Sequence, residues 1–450
     1  MPERSLLPGG SGEVEKQMTT DGFSIDFEWL SREYGSRLER ATLAEIGIMA
    51  GGVYLTELED LKSRTIRTRV RLSAYDFALW LAGNWWRLCF EPPKEGLDWQ
   101  LSHSTTSIGG GYVWPNIIFA SDGGRVMLQA TPASLQGHGI RYLSGFAHFV
   151  PVSEFESKSA GFIEAVLEAT MQAGVENTEL GCIWNEVQKE RSDPDLAGKR
   201  KLEALLGFDP GETSPDLLEA LMRAGQRYGI EAVQEIAAAF EEGSVSLLDR
   251  LWESIRNQAV TLKLPNCSEL RSSVEKTMRR ALMPWQKAEE AAGLARKSWS
   301  VNNGPLSNAR FAGIFQVPQD FITAGEDYPD LPVHAGLRNG GGHAEFKAFL
   351  SRRPVTSRRF ALARLIGDHL TARKKDYLLP ATGVYTQRQK FQRAFAQEFL
   401  CPFMALREFL GKDRPDDEAI EEAASHFQVS PLLIRSALVN KGILKRETLS

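Results

Sequence analysis

The sequence predicts an α+β protein: a mixed α+β part first, a helical middle, and a mainly helical last part. Before residue 152, short stretches of alternating apolar residues are cut by glycine turns such as Gly51-Gly52 and Ser121-Asp-Gly-Gly124, the texture of hairpins. From Ser153 onward, amphipathic stretches of helical period follow one another with Gly, Pro and Asp breaks between them. The 450 residues, 42% hydrophobic and 25% charged, have the composition of a globular chain of two or three domains.

Residues 1–21, rich in Gly, Ser and Glu, predict a flexible tail with neither a basic nor an apolar leader pattern. Ser24 to Glu39 is read as a first helix, and Glu45 to Leu55 as strand, glycine turn and strand. Thr65 to Leu72 alternates again, and Ser73-Ala-Tyr-Asp76 has the spacing of a capping box that opens a helix. On that helix Phe77, Trp80, Leu81, Trp85 and Leu88 form one apolar stripe, with Trp86 on a neighbouring face; such spacing marks packing sooner than base stacking. Ile108-Gly-Gly-Gly-Tyr-Val-Trp-Pro115 lacks the Lys-Ser/Thr of a phosphate loop and is read as a turn. Asn116 to Ala120 and Arg125 to Gln129 form a hairpin, and Arg141 to Val150 a further strand. An α+β domain over 22–152 follows.

The helical region, 153–270, is read as helices Phe155–Ala173, Glu179–Arg191, Lys199–Leu206, Asp216–Arg227, Glu231–Glu242 and Leu247–Thr261. Trp184, Cys182 and Trp252 are assigned to buried faces, and Glu186, Glu190 and His148 to no common site. Leu264-Pro-Asn-Cys-Ser-Glu269 is read as a linker, and Ser272 to Lys297 as one long helix leading into a last domain over 281–445. There Phe346 to Leu350 is a short apolar segment, and Phe360–Ala372 and Thr386–Phe399 are facing helices. The closing pair, Asp416–Phe427 and Ser430–Lys441, has Ser430 as N-cap, Pro431 at the first helical position and Gly442 as its stop. These are helix-turn-helix proportions with Arg435, Asn440 and Lys441 as possible groove contacts, and scaffold is the favoured reading.

In the last domain Phe360-Ala-Leu-Ala-Arg-Leu-Ile-Gly-Asp368, Phe395-Ala-Gln-Glu-Phe-Leu-Cys-Pro402 and Phe427-Gln-Val-Ser430 together resemble the ImmA/IrrE family of bacterial zinc metallopeptidases, whose patterns are F-x-L-A-H-E-x-G-H, F-A-x-E-L-L-x-P and F-x-V-S. The resemblance implies a zincin-like, mainly helical domain over about 281–445. Hydrolysis of that type needs two histidines four residues apart on a helix and a glutamate to activate water. With Gly367 aligned, the first histidine becomes Arg364, the glutamate Leu365 and the second histidine Asp368, with His369 one step further. The family's third, acidic ligand should lie near the start of the F-A-x-E helix, yet Thr386 to Arg393 holds no carboxylate. The motif is therefore degenerate, no catalytic residue and no cofactor are assigned, and zinc is not expected. Arg364 and Asp368, at i and i+4, are expected to pair with each other, and His369 to face solvent or cap the helix.

Four cysteines, Cys89, Cys182, Cys267 and Cys401, show no C-x-x-C spacing, which argues against a disulfide framework or a thiolate zinc site. No run of about eighteen apolar residues occurs, so no membrane partner and a cytoplasmic location are expected. The net charge is −5, but Lys347 to Arg393 carries twelve Lys/Arg against Asp368 and Asp376, an electrostatic footprint suited to phosphates or an acidic protein surface. Its candidate contact cations are Arg358, Arg359, Arg373, Lys374 and Lys375, then Arg388, Lys390 and Arg393. The resulting expectation is a non-catalytic ImmA/IrrE-like regulatory or defence protein that binds nucleic acid, or a protein such as a helix-turn-helix regulator, through a basic cleft. Two alternatives stand beside it: an active zinc endopeptidase using His369, Asp368 and His343 on a regulatory protein, and a nucleic-acid-binding module.

Overall fold

Period-two alternation decides how the chain starts. Phe23, Ile25, Phe27 and Trp29 share one face of β1 (Phe23–Trp29), which pairs antiparallel with β2 (Leu43–Ala50) from Phe23↔Ala50 to Trp29↔Ala44. The helix read over Ser24–Glu39 is thereby corrected. Helix begins only at α1 (Arg37–Thr42), where Ser36 and Glu39 close a reciprocal capping box. These coordinates are a computed structural model that describes residues 22–31, 33–134, 139–239, 244–280, 282–331, 333–338, 344–411 and 415–449. The tail expected over 1–21 lies outside the described residues.

Gly51 and Gly52, both at positive φ, turn β2 back into β3 (Val53–Tyr54), as a two-residue hairpin requires. β4 (Leu58–Asp60) and β5 (Thr65–Arg67) start a second sheet, while β6 (Val70–Ser73) returns to pair with β2. The stretch read as one strand, Thr65–Leu72, is thus shared by two sheets. Ser73 caps α2 (Ala74–Gly83) by accepting from the Asp76 N–H at 3.1 Å, and α3 (Trp85–Phe90) continues after a break at Asn84. α4 (Leu97–His103) leads to the Gly109-Gly110-Gly111 turn, all three at positive φ, and then to β7 (Asn116–Ser121). β8 (Arg125–Thr131), β9 (Ala133–Ser134), β10 (Ile140–Tyr142) and β11 (Ala147–Pro151) complete two sheets, ordered β5-β4-β10-β9 and β11-β8-β7. Arg141 to Val150 likewise divides between sheets.

α5 (Val152–Gln172), α6 (Glu179–Ser192) and α7 (Pro194–Leu206) do not form a domain with the helices after them. Phe162 of α5 packs 5.3 Å from Phe77, and Trp184 of α6 meets Trp85 edge-on at 5.1 Å, so these apolar faces share the core of the sheets before them. The described chain separates into two compact units whose boundary falls between Ser214 and Pro215, inside the stretch read as a helical middle. Cys182 is exposed, whereas Cys89, Cys267 and Cys401 are buried.

The second unit opens with α8 (Pro215–Tyr228), α9 (Ile230–Ala239) and α10 (Ser244–Gln258). β12 (Val260–Lys263) then pairs with β14 (Glu345–Phe349), so Leu264–Glu269, read as a linker, follows directly from a strand of this unit. α11 (Cys267–Met278) and α12 (Pro284–Ser298) replace the single long helix read there; Pro284 has no N–H to continue one. α13 (Asn308–Phe315), α14 (Gln319–Thr323) and β13 (His334–Arg338) precede α15 (Val355–Thr371), β15 (Leu378–Ala381) and α16 (Gln387–Leu400). The antiparallel sheet runs β12-β14-β13-β15. α17 (Phe403–Leu410), α18 (Asp417–Phe427) and α19 (Pro431–Asn440) close the chain, with Ser430 accepting from the Leu433 N–H at 3.2 Å and Gly442 at positive φ.

Candidate functional site

α15 is buried on every side from Ala361 to Leu370, so each polar side chain on it must be satisfied from within the protein. The polar face of the helix is held by α16 and by the loop between β15 and α16. Gly367 makes their close approach possible: a Cβ there would stand 2.6 Å from the Phe395 ring. The segments Phe360–Asp368 and Phe395–Pro402 thus lie against each other.

Arg364 donates through Nη2 to the Thr382 carbonyl at 2.7 Å and to Gln389 Oε1. Gln389 is fixed in turn, accepting from the Thr382 N–H at 3.0 Å and donating to the Pro380 carbonyl at 3.0 Å, which also accepts from Gln392. Asp368 is held by Arg388 in a two-pronged fork, Nε to Oδ1 and Nη2 to Oδ2, both 2.8 Å. The expected Arg364–Asp368 pair is therefore replaced by two pairings across to α16. Burial pushes the Arg364 guanidinium down to about 9, still charged at neutral pH. Burial also opposes the charge on Arg388, but the Asp368 carboxylate outweighs it and raises Arg388 above its ordinary value.

A third carboxyl approaches from α9. Glu235, buried, accepts from the Thr386 hydroxyl at 2.7 Å, and its burial, against the pull of Arg388, raises its pKa. Gln389, Gln392, Thr386 and Glu235 were not assigned from sequence. The polar i, i+3 pair of glutamines on α16 was a visible signal, whereas Glu235 lies 151 positions from Thr386 and gave none.

Leu365, which the resemblance aligns with a catalytic glutamate, is a fully buried core side chain. His369 does not face solvent: it is buried and stacks on Phe346 at 4.7 Å, one residue and about 100° round the helix from Asp368. His343 lies outside the described residues. Zinc takes thiolate, imidazole or carboxylate donors, and the guanidinium of Arg364 is none of these; both oxygens of Asp368 already accept from Arg388. The residues at the motif positions do not fit the ion. Among the described residues no three His, Cys, Asp or Glu side chains gather as one metal would need.

The candidate contact cations fall into two groups. Arg358 is buried and donates to the carbonyls of Phe321, Leu350 and Arg352. Arg359, fully buried, donates to the Leu306 carbonyl at 2.6 Å and to Asn308 Oδ1, with Phe311 beneath it; burial lowers it to about 10. Arg388 holds Asp368, and Arg393 donates to the Val384 carbonyl at 2.9 Å while lying over Tyr385. Lys390 is half-buried. Arg358, Arg359 and Arg393 tie loops to helices, and Arg388 ties α16 to α15. Arg373, Lys374 and Lys375 stand exposed on the loop after α15, with Arg373 paired to Glu231 at 2.8 Å. In the closing helix pair, Arg435 is bound to Asp417 and Lys441 to Glu289, each at 3.0 Å.

In the first unit, Glu91 and Arg87 form another buried charged pair, with His103 beside it. Arg87 Nε donates to Glu91 Oε2 at 2.7 Å, and His103 Nε2 lies 3.7 Å from the same oxygen. His103 Nδ1 meets the Trp99 carbonyl at 2.8 Å; a carbonyl only accepts, so Nδ1 carries the proton. Beside this group Glu190 accepts from Trp86 Nε1 and Arg200 Nε, which accounts for it as a tie between helices. Compared with protein-family models, curated proteins and solved structures, the chain matches none.

Proposed function

We propose that the chain is a non-hydrolytic protein of ImmA/IrrE-like, zincin-like build that works in regulation or defence by binding a partner. One observation carries the reading: the i, i+4 positions where such a peptidase would hold its ion are Arg364 and Asp368, and α16 locks both with Gln389 and Arg388. The opposition of α15 and α16 through Gly367 and Phe395 supports the family build. A protein partner is favoured over nucleic acid. The basic run that suggested phosphates turns Arg358, Arg359, Arg364 and Arg393 inward to backbone carbonyls and Arg388 to Asp368, leaving Arg353 and the cluster Arg373, Lys374 and Lys375 exposed.

The test has two arms. Metal analysis of protein exposed to zinc and then dialysed should find below about 0.1 ion per chain; stoichiometric zinc, retained and then lost in His369→Ala, would overturn the non-hydrolytic reading. Anisotropy with duplex DNA and RNA probes across a salt series should show weak binding, little changed by Arg373→Glu/Lys374→Glu/Lys375→Glu. Tight, steeply salt-dependent binding abolished in that variant would make nucleic acid the partner.

A further inference from the structure

A groove beside α17 and α18 lies apart from the α15–α16 site, sharing only Phe427 with the motifs described above. It encloses about 300 Å3 and is lined by Ala405, Glu408, Phe409, His426 and Phe427, with Gly304 beside them. Its aromatic wall is already assembled: His426 stacks on Phe409 at 4.4 Å and meets Phe427 edge-on at 4.9 Å. Phe409 nevertheless remains 41% exposed, and Met404 on the same helix 70%. A large apolar side chain left exposed at a concavity, as Phe409 is, marks a contact surface.

The charge around the groove is mainly acidic. Four and eight residues before His426, on the same stripe of α18, stand Glu422 and Glu418, both exposed. Residues 403–427 carry seven acids (Glu408, Asp413, Asp416, Asp417, Glu418, Glu421 and Glu422) against Arg407, Lys412 and Arg414. Asp417 is answered by Arg435 at 3.0 Å, and Asp416 caps α18 by accepting from the Ala419 N–H at 2.9 Å. Glu408, Glu418 and Glu422 have no ion-pair partner among the described residues. This field disfavours phosphates along α17 and α18, and with Arg435 and Lys441 already paired it supports scaffold over DNA reader for α18 and α19.

We infer that this groove docks a cationic amphipathic helix of a partner protein. Apolar side chains spaced at i, i+3 and i+4 enter against Phe409 and Phe427 while Lys or Arg on the flanks meet Glu408, Glu418 and Glu422. The exposed face of Phe409 adds a site for a cation over the ring. The inference extends the partner-binding half of the proposed function and is independent of whether zinc is bound.

The test uses the full chain and a fluorescein-labelled eighteen-residue peptide of leucine and lysine in helical period, beside the same peptide with glutamate for lysine. Saturable binding of the cationic peptide is expected at micromolar concentrations, with none for the acidic one. Ala405→Trp, which fills the groove, and Glu418→Lys/Glu422→Lys should each weaken it about tenfold or more, roughly 1.4 kcal/mol. Glu168→Lys/Glu176→Lys, the same charge change on the first unit, should leave it unchanged. Phe409→Ser, at an exposed site, serves if Ala405→Trp fails to fold. Equal binding in the groove variants, or no binding by the native chain, overturns the inference. Concentration-dependent dimers in sedimentation, abolished by Phe409→Ser and without peptide binding, would assign the groove to a second copy instead. None of these outcomes alters the zinc result, so the two readings fail separately.

Discussion

Asp368 is 2% exposed and lies near two guanidiniums, yet only Arg388 forks onto it. Removing one member of a buried pair strands the other and costs about 3–5 kcal/mol, so Asp368→Ala should lower the urea-unfolding free energy by that order. A double-mutant cycle identifies the partner. Asp368→Ala with Arg388→Ala should be far less than additive, whereas Asp368→Ala with Arg364→Ala should be close to additive; the reverse pattern would restore the pairing along the helix. The i, i+4 rule suggested Arg364 because it considers one helix at a time. The winning partners are supplied by a second helix and a loop carbonyl, which no spacing within α15 reveals. The same limit explains the basic run: a charge count treats Arg358 and Arg359 like Lys374 and Lys375, although the first two are spent on carbonyls in the core.

Between elements, the contact that sets the α15–α16 distance is glycine on aromatic ring. Gly367→Ala should destabilise by about 1–3 kcal/mol, because the added methyl overpacks against Phe395 and outweighs the better helix propensity. Gly293, inside α12, has nothing within 4 Å of an added Cβ. Gly293→Ala should stabilise by about 0.5–1 kcal/mol. Thermal and urea unfolding of the two variants therefore have opposite signs, and a gain in Gly367→Ala would remove the close approach as a determinant. Elements whose ends are set by local chemistry were legible in the sequence: Ser73 and Ser430 do cap α2 and α19, and Gly51-Gly52 does turn a hairpin. The first strand was missed because a capped helix follows it, and Ser36 with Glu39 begins that helix thirteen residues after Phe23. The alternation of Phe23, Ile25, Phe27 and Trp29 was the signal that should have prevailed.

At the scale of the whole chain, the boundary near Ser214 was hidden because the texture from residue 153 onward is helical throughout. Which core a helix joins depends on which apolar face finds a complement, as Phe162 does on Phe77. Among the described residues, burial pushes His103 in the first unit and His334 in the second down to about 3. Both are neutral in the folded state at pH 7. Below the ordinary imidazole value of about 6.5 the unfolded chain takes up a proton that the fold refuses until about pH 3, so stability falls with acidification by up to about 1.4 kcal/mol per pH unit per histidine. His103 is fully buried and should give the fuller slope; His334, partly exposed, the shallower one. Buried carboxyls act in the opposite sense, since Glu91 and Glu235, raised by burial, bind protons more readily folded than unfolded. The histidine slope is therefore cleanest just below pH 6.5. Pulse proteolysis of the full chain in urea at pH 7 and pH 5, with fragments identified by mass, gives a midpoint for each unit. His103→Gln should flatten the acid loss of the first unit and leave the second unit's loss in place; flattening of both, or of neither, would mean that His103 and His334 do not set the acid sensitivity of their own units.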